Sequence, residues 1–192
     1  MSRNLYEYFL REFLKSAAFS ANTDEKKQKF KEFIYDRLET LIPSNITKAK
    51  IIFAIERADD IDLYMEEENL IGWLQTVYYT EKIDINIKLT PKEFGPIYWS
   101  FMFYGASSAT DDNSQDNYIY FVLNLLYYLL PCEICAEHWI ENLRNAPDIN
   151  NFSSSNIELI KWTYEMKKIV GHQTNKFYSA PKIQDIIRKF LI

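Results

Sequence analysis

The chain carries only two cysteines, Cys132 and Cys135, and they stand three positions apart directly after Pro131. With no other thiol in the sequence, they cannot belong to a larger disulfide framework or to a four-thiolate zinc site. A C-x-x-C pair at the start of a helix can cycle between dithiol and disulfide, because the amides and dipole of the helix N-terminus stabilise a thiolate. We therefore predict redox chemistry at this pair.

A zinc site and a chance spacing are the two alternatives to redox chemistry at the cysteine pair. A zinc ion would need both cysteines, His138 one helical turn after Cys135, and His172 far along the chain. Alternatively, two buried cysteines fall three positions apart by chance. We favour the redox pair, and predict no metal site, because the C-x-x-C is the entire cysteine complement.

Composition limits the fold and the partners. The 192 residues are 47% hydrophobic, enough for a full core, and four glycines and six prolines are few for an all-β protein, so we expect mostly helix. A net charge of -5 and an isoelectric point of about 5.2 argue against general nucleic-acid binding. Residues 1–10 lack the apolar core of a signal peptide, and no apolar run approaches the ~18 residues of a membrane span. We expect a protein made in a reducing compartment, where a lone C-x-x-C is typical of catalysis.

The pattern of apolar residues divides the chain near residue 90. Residues 1–82 show amphipathic helical stripes, including a helix from Leu63 to Leu74, and no internal repeat is visible. Roughly 80 residues of short helices form only a marginal core alone, so we expect them to dock on the rest of the chain or on a second subunit. Residues 83–90 alternate apolar and polar side chains, which predicts an extended connector. Residues 91–192 form the second unit.

The sequence of the second unit predicts five helices. Capping boxes at Thr90–Glu93 and Ser155–Glu158 start the first and the fourth, and Pro131 ends the second. The cysteines open the third helix, and the polar segment 111–116 is predicted to be a loop. Four helices of this length with short connections form a bundle, with the fifth helix, 183–191, packed across its end.

Three segments of this unit resemble the Erv/ALR family of flavin-linked sulfhydryl oxidases. They are Phe94–Trp99 (FGPIYW), Leu129–His138 (LLPCEICAEH) and Lys161–Tyr164 (KWTY), and they occur in the family's order and spacing. The resemblance covers roughly residues 91 to 180 and is strongest to the oxidases of large DNA viruses, including the baculovirus type with its extra helical N-terminal region. It implies an all-α fold: an Erv-like four- or five-helix bundle preceded by an additional helical region.

The resemblance also implies an activity. In the family, electrons pass from protein thiols to the C-x-x-C disulfide, then to FAD, and then to O2. Cys135 would lie against the flavin and Cys132 would exchange with substrate. The implied FAD contacts are Gly95, Tyr98, Trp99, Phe103, His138, Trp162, Lys167, Lys168, Val170, Gly171, Asn175 and Lys176.

The chain departs from the family at the cofactor motifs. Phe103 stands where W-x-x-x-H has its histidine, and residues 167–171 keep only Val170 of H-N-x-V-N. One account is that Phe103 stacks on the flavin while lysines bind the phosphates ionically. The other is that side chains fill the pocket, leaving a flavin-free scaffold that serves in virion assembly, as a structural protein or as a thiol relay.

The expected partners follow from the same resemblance. With no second cysteine pair, the protein would act directly on a small thiol or on an external C-x-x-C protein. Family members dimerise through the first two bundle helices, which implies a homodimer here unless the N-terminal region replaces or covers that surface. The implied setting is the cytoplasm or nucleus of an infected cell, or the virion, with viral proteins as substrates. The charge predicts no nucleic-acid partner, and the lack of a long apolar run predicts no membrane span.

Overall fold

The computed structural model describes residues 3–43, 45–78, 87, 89–175 and 178–191. Every regular element within these ranges is a helix, so the all-α prediction is confirmed. In the same ranges, no helix is both long enough and apolar enough to cross a membrane.

The N-terminal region consists of short helices joined by tight turns. Helix α2 continues without a break into a π-helical turn, Phe33–Arg37, and a 3-10 turn, Leu38–Leu41. The helices are α1 (Arg3–Ser20), α2 (Asp24–Glu32), α3 (Asn45–Arg57), α4 (Ile61–Glu66) and α5 (Leu70–Val77).

The second unit contains the predicted bundle. Its second helix is interrupted by a π-helical turn, Phe121–Leu125, and a 3-10 turn, Ile149–Phe152, precedes its fourth. The helices are α6 (Pro91–Ser108), α7 (Asp112–Tyr120), α8 (Leu126–Leu129), α9 (Glu133–Asn145), α10 (Asn156–Thr174) and α11 (Ile183–Phe190).

Capping explains where these helices begin, and it corrects one prediction. At the start of α6, the Thr90 amide donates to the Glu93 carboxylate at 3.3 Å, as the capping box predicted. The predicted loop at 111–116 is wrong, because α7 already begins at Asp112. Asp111 accepts the Ser114 amide at 2.9 Å, and the Ser114 hydroxyl accepts the Asp111 amide at 3.1 Å. This polar segment is therefore a helix start whose side chains satisfy its free amides.

The predicted helix from Leu63 to Leu74 is broken into α4 and α5. Glu68 adopts φ of 55°, a left-handed conformation that ends α4. Asn69 then caps α5, its side-chain oxygen accepting the Gly72 amide at 3.0 Å. Apolar residues recur through this break because each short helix buries one side, with Met65 of α4 and Leu70 and Leu74 of α5 in the core.

One hydrophobic core joins the two parts of the chain. Helix α1 packs on α6, and α2 packs on α8. Phe13 of α1 stacks on Phe101 of α6 with ring centroids 4.2 Å apart, and the Tyr128 hydroxyl donates to Glu25 at 2.9 Å. The expectation that the N-terminal helices dock on the bundle is therefore confirmed.

The connector lies mostly outside the described part of the chain. Of the segment predicted to be extended, residues 83–86 and 88 lie outside the described residues, while Ile87 and Leu89 have no regular structure. The proposed boundaries 1–82, 83–90 and 91–192 stay predictions.

Candidate functional site

The two cysteines form a disulfide at the N-terminus of α9, with their Cα atoms 5.1 Å apart. Helix α8 ends at Leu129, two residues before Pro131, and Cys132 then serves as the N-cap of α9 in an extended conformation. The Cys135 amide donates to the Cys132 sulfur at 3.3 Å. The pair therefore stands at the helix start that the sequence predicted.

This geometry favours thiol–disulfide exchange. Both cysteines are half-buried against the core, while Glu133 and Ile134 between them are exposed. A substrate thiolate can reach the disulfide from this exposed side. After reduction, the Cys135 amide and the N-terminal end of α9 are placed to stabilise a thiolate on Cys132. Cys132 is thus better suited than Cys135 to exchange with substrate.

The zinc alternative finds no matching geometry. His138 is exposed on α9, and His172 lies beside the Tyr178 ring, with centroids 5.5 Å apart. Across the ranges that the structure describes, no three His, Cys, Asp or Glu side chains are grouped closely enough to hold a metal ion.

Helix α6 brings three of the implied cofactor residues to this end of the bundle. Trp99 is half-buried, and its ring lies 6.3 Å from that of Trp139 on α9. Tyr98 is buried, and its hydroxyl donates to the Leu129 carbonyl at 2.5 Å, which ties α6 to the segment just before the cysteines. Burial raises the pKa of Tyr98 well above its usual value, so it stays a donor. A Cβ on Gly95 would meet no atom within 4 Å, so that position is open.

Phe103 is enclosed by other parts of the chain. It is 1% exposed, and its ring stacks on Phe190 of α11 with centroids 4.9 Å apart. The Lys167 ammonium lies 5.6 Å from the centroid of the Phe103 ring. Burial, with a smaller contribution from nearby Lys189, lowers the pKa of Lys167. Phe103 therefore packs against Phe190 where the resemblance implied a flavin.

Trp162 is also enclosed, with 1% of its surface exposed. Its indole N–H donates to the Pro147 carbonyl at 2.8 Å. The side chain thus fixes the turn before α10 and satisfies its only donor within the protein.

The remaining implied contacts follow the C-terminal part of α10. Lys168 pairs with Glu165 at 2.8 Å, and Val170 is half-buried. A Cβ on Gly171 would come within 2.5 Å of the Tyr178 ring, so this glycine makes room for a tyrosine of the same chain. Asn175 is exposed at the helix end. Lys176 lies outside the described residues.

Comparison with known proteins supports a family. Over 108 residues the chain is 27% identical to a probable FAD-linked sulfhydryl oxidase of Acanthamoeba polyphaga mimivirus, a match covering 54% of this chain and 74% of that protein. No protein-family model matches the chain, and no solved structure is significantly similar to it. The similarity to the viral protein agrees with the Erv-like motifs and supports thiol oxidase activity at the level of the family.

Two aromatic side chains implied as FAD contacts, Phe103 and Trp162, are not accessible to a flavin in this structure. Phe190 and Lys167 cover Phe103, and Trp162 is buried in the protein, so neither ring has a free face for a flavin. Trp99 keeps part of its surface free. In this conformation the residues present do not fit a flavin stacked on Phe103.

Two residues near the site were missed by the sequence analysis. Trp139 contacts Trp99, and it falls four positions after Cys135, a spacing that could have placed it on the same face of α9. Phe190 covers Phe103 from a helix 87 positions further along the chain, and no local pattern pairs the two.

Proposed function

We propose that the protein is a sulfhydryl oxidase whose redox centre is the Cys132–Cys135 disulfide. The observation that carries the proposal is the position of this disulfide: it is half-buried, it caps a helix, and a backbone amide points at one sulfur. The viral relative, a probable FAD-linked sulfhydryl oxidase, supports the same chemistry.

The exchange reaction balances without any further group. A substrate thiolate attacks the Cys132 sulfur, the bond to Cys135 breaks, and a mixed disulfide forms. A second substrate thiol attacks that mixed disulfide and releases Cys132. The products are one substrate disulfide and the reduced Cys132/Cys135 pair, which has gained two electrons and two protons. Returning the pair to the disulfide needs an acceptor of two electrons. We further propose that FAD, the cofactor in the relative's name, would supply this chemistry, with the free part of Trp99 and not Phe103 as its aromatic contact, and that oxygen is the final oxidant.

The substrates in this proposal come from outside the chain. The sequence holds no second cysteine pair, so a small thiol or a C-x-x-C protein must deliver electrons to the disulfide directly. The viral origin of the relative supports viral proteins as the substrates and an infected cell as the setting.

The flavin-free scaffold remains a second candidate, because one observation favours it. The Phe103–Phe190 stack places a side chain of the protein where a flavin would otherwise contact Phe103. Such a protein would exchange disulfides but would not consume oxygen.

One experiment separates the two candidates. The purified full-length protein, with and without added FAD, is assayed for bound-flavin absorbance and for oxygen consumption with dithiothreitol. We expect protein-bound flavin and turnover. A protein that stays colourless after FAD is added, and that exchanges disulfides without consuming oxygen, would establish the scaffold instead.

A further inference from the structure

From α1 to α3, the helices of the N-terminal region have the same lengths and the same spacing as those of the bundle from α6 to α9. Each contains an 18-residue helix, a nine-residue helix that runs into a five-residue π-helical turn and a further four-residue turn, and a 13-residue helix. Adding 88 to each residue number converts Arg3–Ser20 into Pro91–Ser108, Asp24–Glu32 into Asp112–Tyr120, Phe33–Arg37 into Phe121–Leu125, Leu38–Leu41 into Leu126–Leu129, and Asn45–Arg57 into Glu133–Asn145. A repeat is thus present in the helix lengths, although none is visible in the sequence.

Two π-helical turns at matching positions are hard to attribute to chance. Such turns are rare, and they form where one extra residue is accommodated within a helix. Both begin at a buried phenylalanine, Phe33 in one copy and Phe121 in the other. A repeat that preserves an irregularity of the backbone indicates two versions of one fold.

The connections between helices repeat as well. Thr23 accepts the Lys26 amide at 3.3 Å, and its counterpart Asp111 accepts the Ser114 amide at 2.9 Å. The carboxylates of Asp60 and Asp148, also 88 positions apart, each accept the amide two residues ahead at 3.0 Å. The same turns are therefore built by the same kinds of hydrogen bond.

A buried tryptophan in each copy holds the same turn. The Trp73 indole donates to the Asp59 carbonyl at 2.9 Å, and the Trp162 indole donates to the Pro147 carbonyl at 2.8 Å. The two acceptors are 88 positions apart and the two tryptophans are 89 apart, so the second copy has one added residue between acceptor and tryptophan. The repeat thus reaches into α5 and α10.

The two copies pack on each other reciprocally. Helix α1 packs on its own counterpart α6, and one π-helical turn packs on the other. Helix α2 contacts α8. The counterparts of these two elements in the other copy are α7 and the 3-10 turn Leu38–Leu41, and they also contact each other. Reciprocal contacts of this kind define an interface with a twofold axis, as in a symmetric dimer.

Four buried phenylalanines mark the axis. Phe13 stacks on its counterpart Phe101 at 4.2 Å, and Phe33 contacts its counterpart Phe121 at 5.5 Å. The diagonal contacts are also equivalent: Phe13 to Phe121 is 6.2 Å, and Phe33 to Phe101 is 6.0 Å. All four rings are fully buried.

The N-terminal copy has lost the redox pair. The sequence Pro43-Ser44-Asn45-Ile46-Thr47 stands where the bundle has Pro131-Cys132-Glu133-Ile134-Cys135. Thr47 is 1% exposed, and its hydroxyl lies 3.4 Å from the Glu7 carboxylate, to which it donates. Ser44 lies outside the described residues, so its equivalence to Cys132 rests on its position after Pro43.

A cavity of about 260 Å³ lies at the corresponding place in the N-terminal copy. It is lined by Glu7, Arg11 and Lys50 among others, and their counterparts are Gly95, Trp99 and His138 of the candidate site. Charged side chains have thus replaced the residues that the family resemblance assigns to the cofactor. The N-terminal copy therefore lacks both the cysteines and the residues implied to contact the cofactor.

We propose that residues 3–78 are a second, redox-silent copy of the unit 91–166, and that the two copies form an internal dimer about a pseudo-twofold axis. The N-terminal copy occupies the face of α6, α7 and α8 on which a second chain would otherwise pack. The protein is therefore a monomer with one redox centre. This inference goes beyond the oxidase function and does not depend on it.

The first test restores cysteines to the silent copy. Ser44→Cys/Thr47→Cys is introduced into the full chain, the protein is equilibrated in a glutathione buffer, and disulfides are mapped by mass spectrometry. We expect a disulfide between positions 44 and 47 in addition to the native one. Ala49→Cys/Ile52→Cys in the middle of α3 is the matched control and should stay reduced. Thiols at 44 and 47 that behave like the control pair would overturn the equivalence.

The second test needs no substitution and so does not depend on the variant folding. Light scattering on the wild-type chain, from dilute to concentrated samples, should give the monomer mass of 22.9 kDa throughout. A stable particle of twice that mass would overturn the claim that the protein is a monomer, with the N-terminal copy in the place of a second chain. Neither test requires flavin, so their outcome is separate from that of the oxidase proposal.

Discussion

The Cys132 sulfur accepts a hydrogen bond from the backbone of its own helix, and this contact supports the proposed division of roles between the two cysteines. The Cys135 amide lies 3.3 Å from the Cys132 sulfur. Cys132 is the N-cap of α9, whereas Cys135 itself lies within the first turn of the helix. A thiolate is therefore stabilised on Cys132, the residue expected to exchange with substrate.

Replacement of either cysteine should stop turnover, because one thiol cannot complete a two-electron exchange. Both Cys132→Ser and Cys135→Ser should reduce oxygen consumption with dithiothreitol to background, while Glu133→Gln, altered at an exposed position, should stay active. The two variants should differ in how fast glutathione disulfide traps their remaining thiol. Cys135→Ser should form the stable mixed disulfide faster than Cys132→Ser does, as measured by mass spectrometry. Equal trapping rates would argue against the assigned roles.

Phe190 controls access to Phe103, so Phe190→Ala should alter stability and flavin binding in opposite directions. Removing a buried ring of this kind costs about 3–5 kcal/mol of unfolding free energy. At the same time it frees a face of Phe103, and the affinity for added FAD, measured by fluorescence quenching, should rise. Leu191→Ala, at a 40% exposed neighbour, serves as control and should change neither quantity much. Lower stability with unchanged FAD affinity would show that the stack has no part in cofactor binding.

At the scale of elements, short polar segments decide where helices begin. Asp111 and its counterpart Thr23 each cap a nine-residue helix that runs into a π-helical turn. Because these helices are too short to be stable alone, the caps and the packing of one face must hold them together.

Loss of either cap should therefore destabilise the protein by a similar amount. For Asp111→Ala and for Thr23→Ala we expect losses of about 1 kcal/mol in unfolding free energy, measured by chemical denaturation. Asp116→Ala, at an exposed position within α7, should stay within about 0.5 kcal/mol of the wild type. A loss at Asp116 as large as that at Asp111 would show that charge, and not capping, matters there.

At the scale of the molecule, the bundle depends on the N-terminal copy to cover its apolar face. Phe101 and Phe121 are completely buried, and both contact rings from α1 or from the π-helical turn after α2. Neither part of the chain would keep these side chains from water by itself.

Removal of the N-terminal copy should expose this face and cause self-association. A fragment of residues 87–192 is expected to dimerise or aggregate and to unfold at a lower temperature than the full chain, as followed by light scattering and thermal unfolding. A fragment that stays monomeric and equally stable would mean that the N-terminal region is an independent module.

The local features of this protein were determined by the sequence alone. Pro131 and the spacing of the two cysteines place a thiol pair at a helix start, because proline ends one helix and the next must begin immediately. The capping box at Thr90–Glu93 and the helical stripes are local for the same reason: each is satisfied by residues within one or two turns. The all-α class follows from them.

Contacts between distant segments were decided only by the tertiary structure. Phe190 covers Phe103 because α11 folds back onto α6. No local sequence pattern links two residues so far apart in the chain. The repeat was hidden for a different reason. A core constrains volume and position more than residue identity, so Ser44 and Thr47 could replace a redox pair while helix lengths and the Phe13–Phe101 stack were retained. The sequence by itself therefore determined where the cysteine pair lies, and packing decided that a second, silent copy covers the apolar face of the bundle that carries the pair.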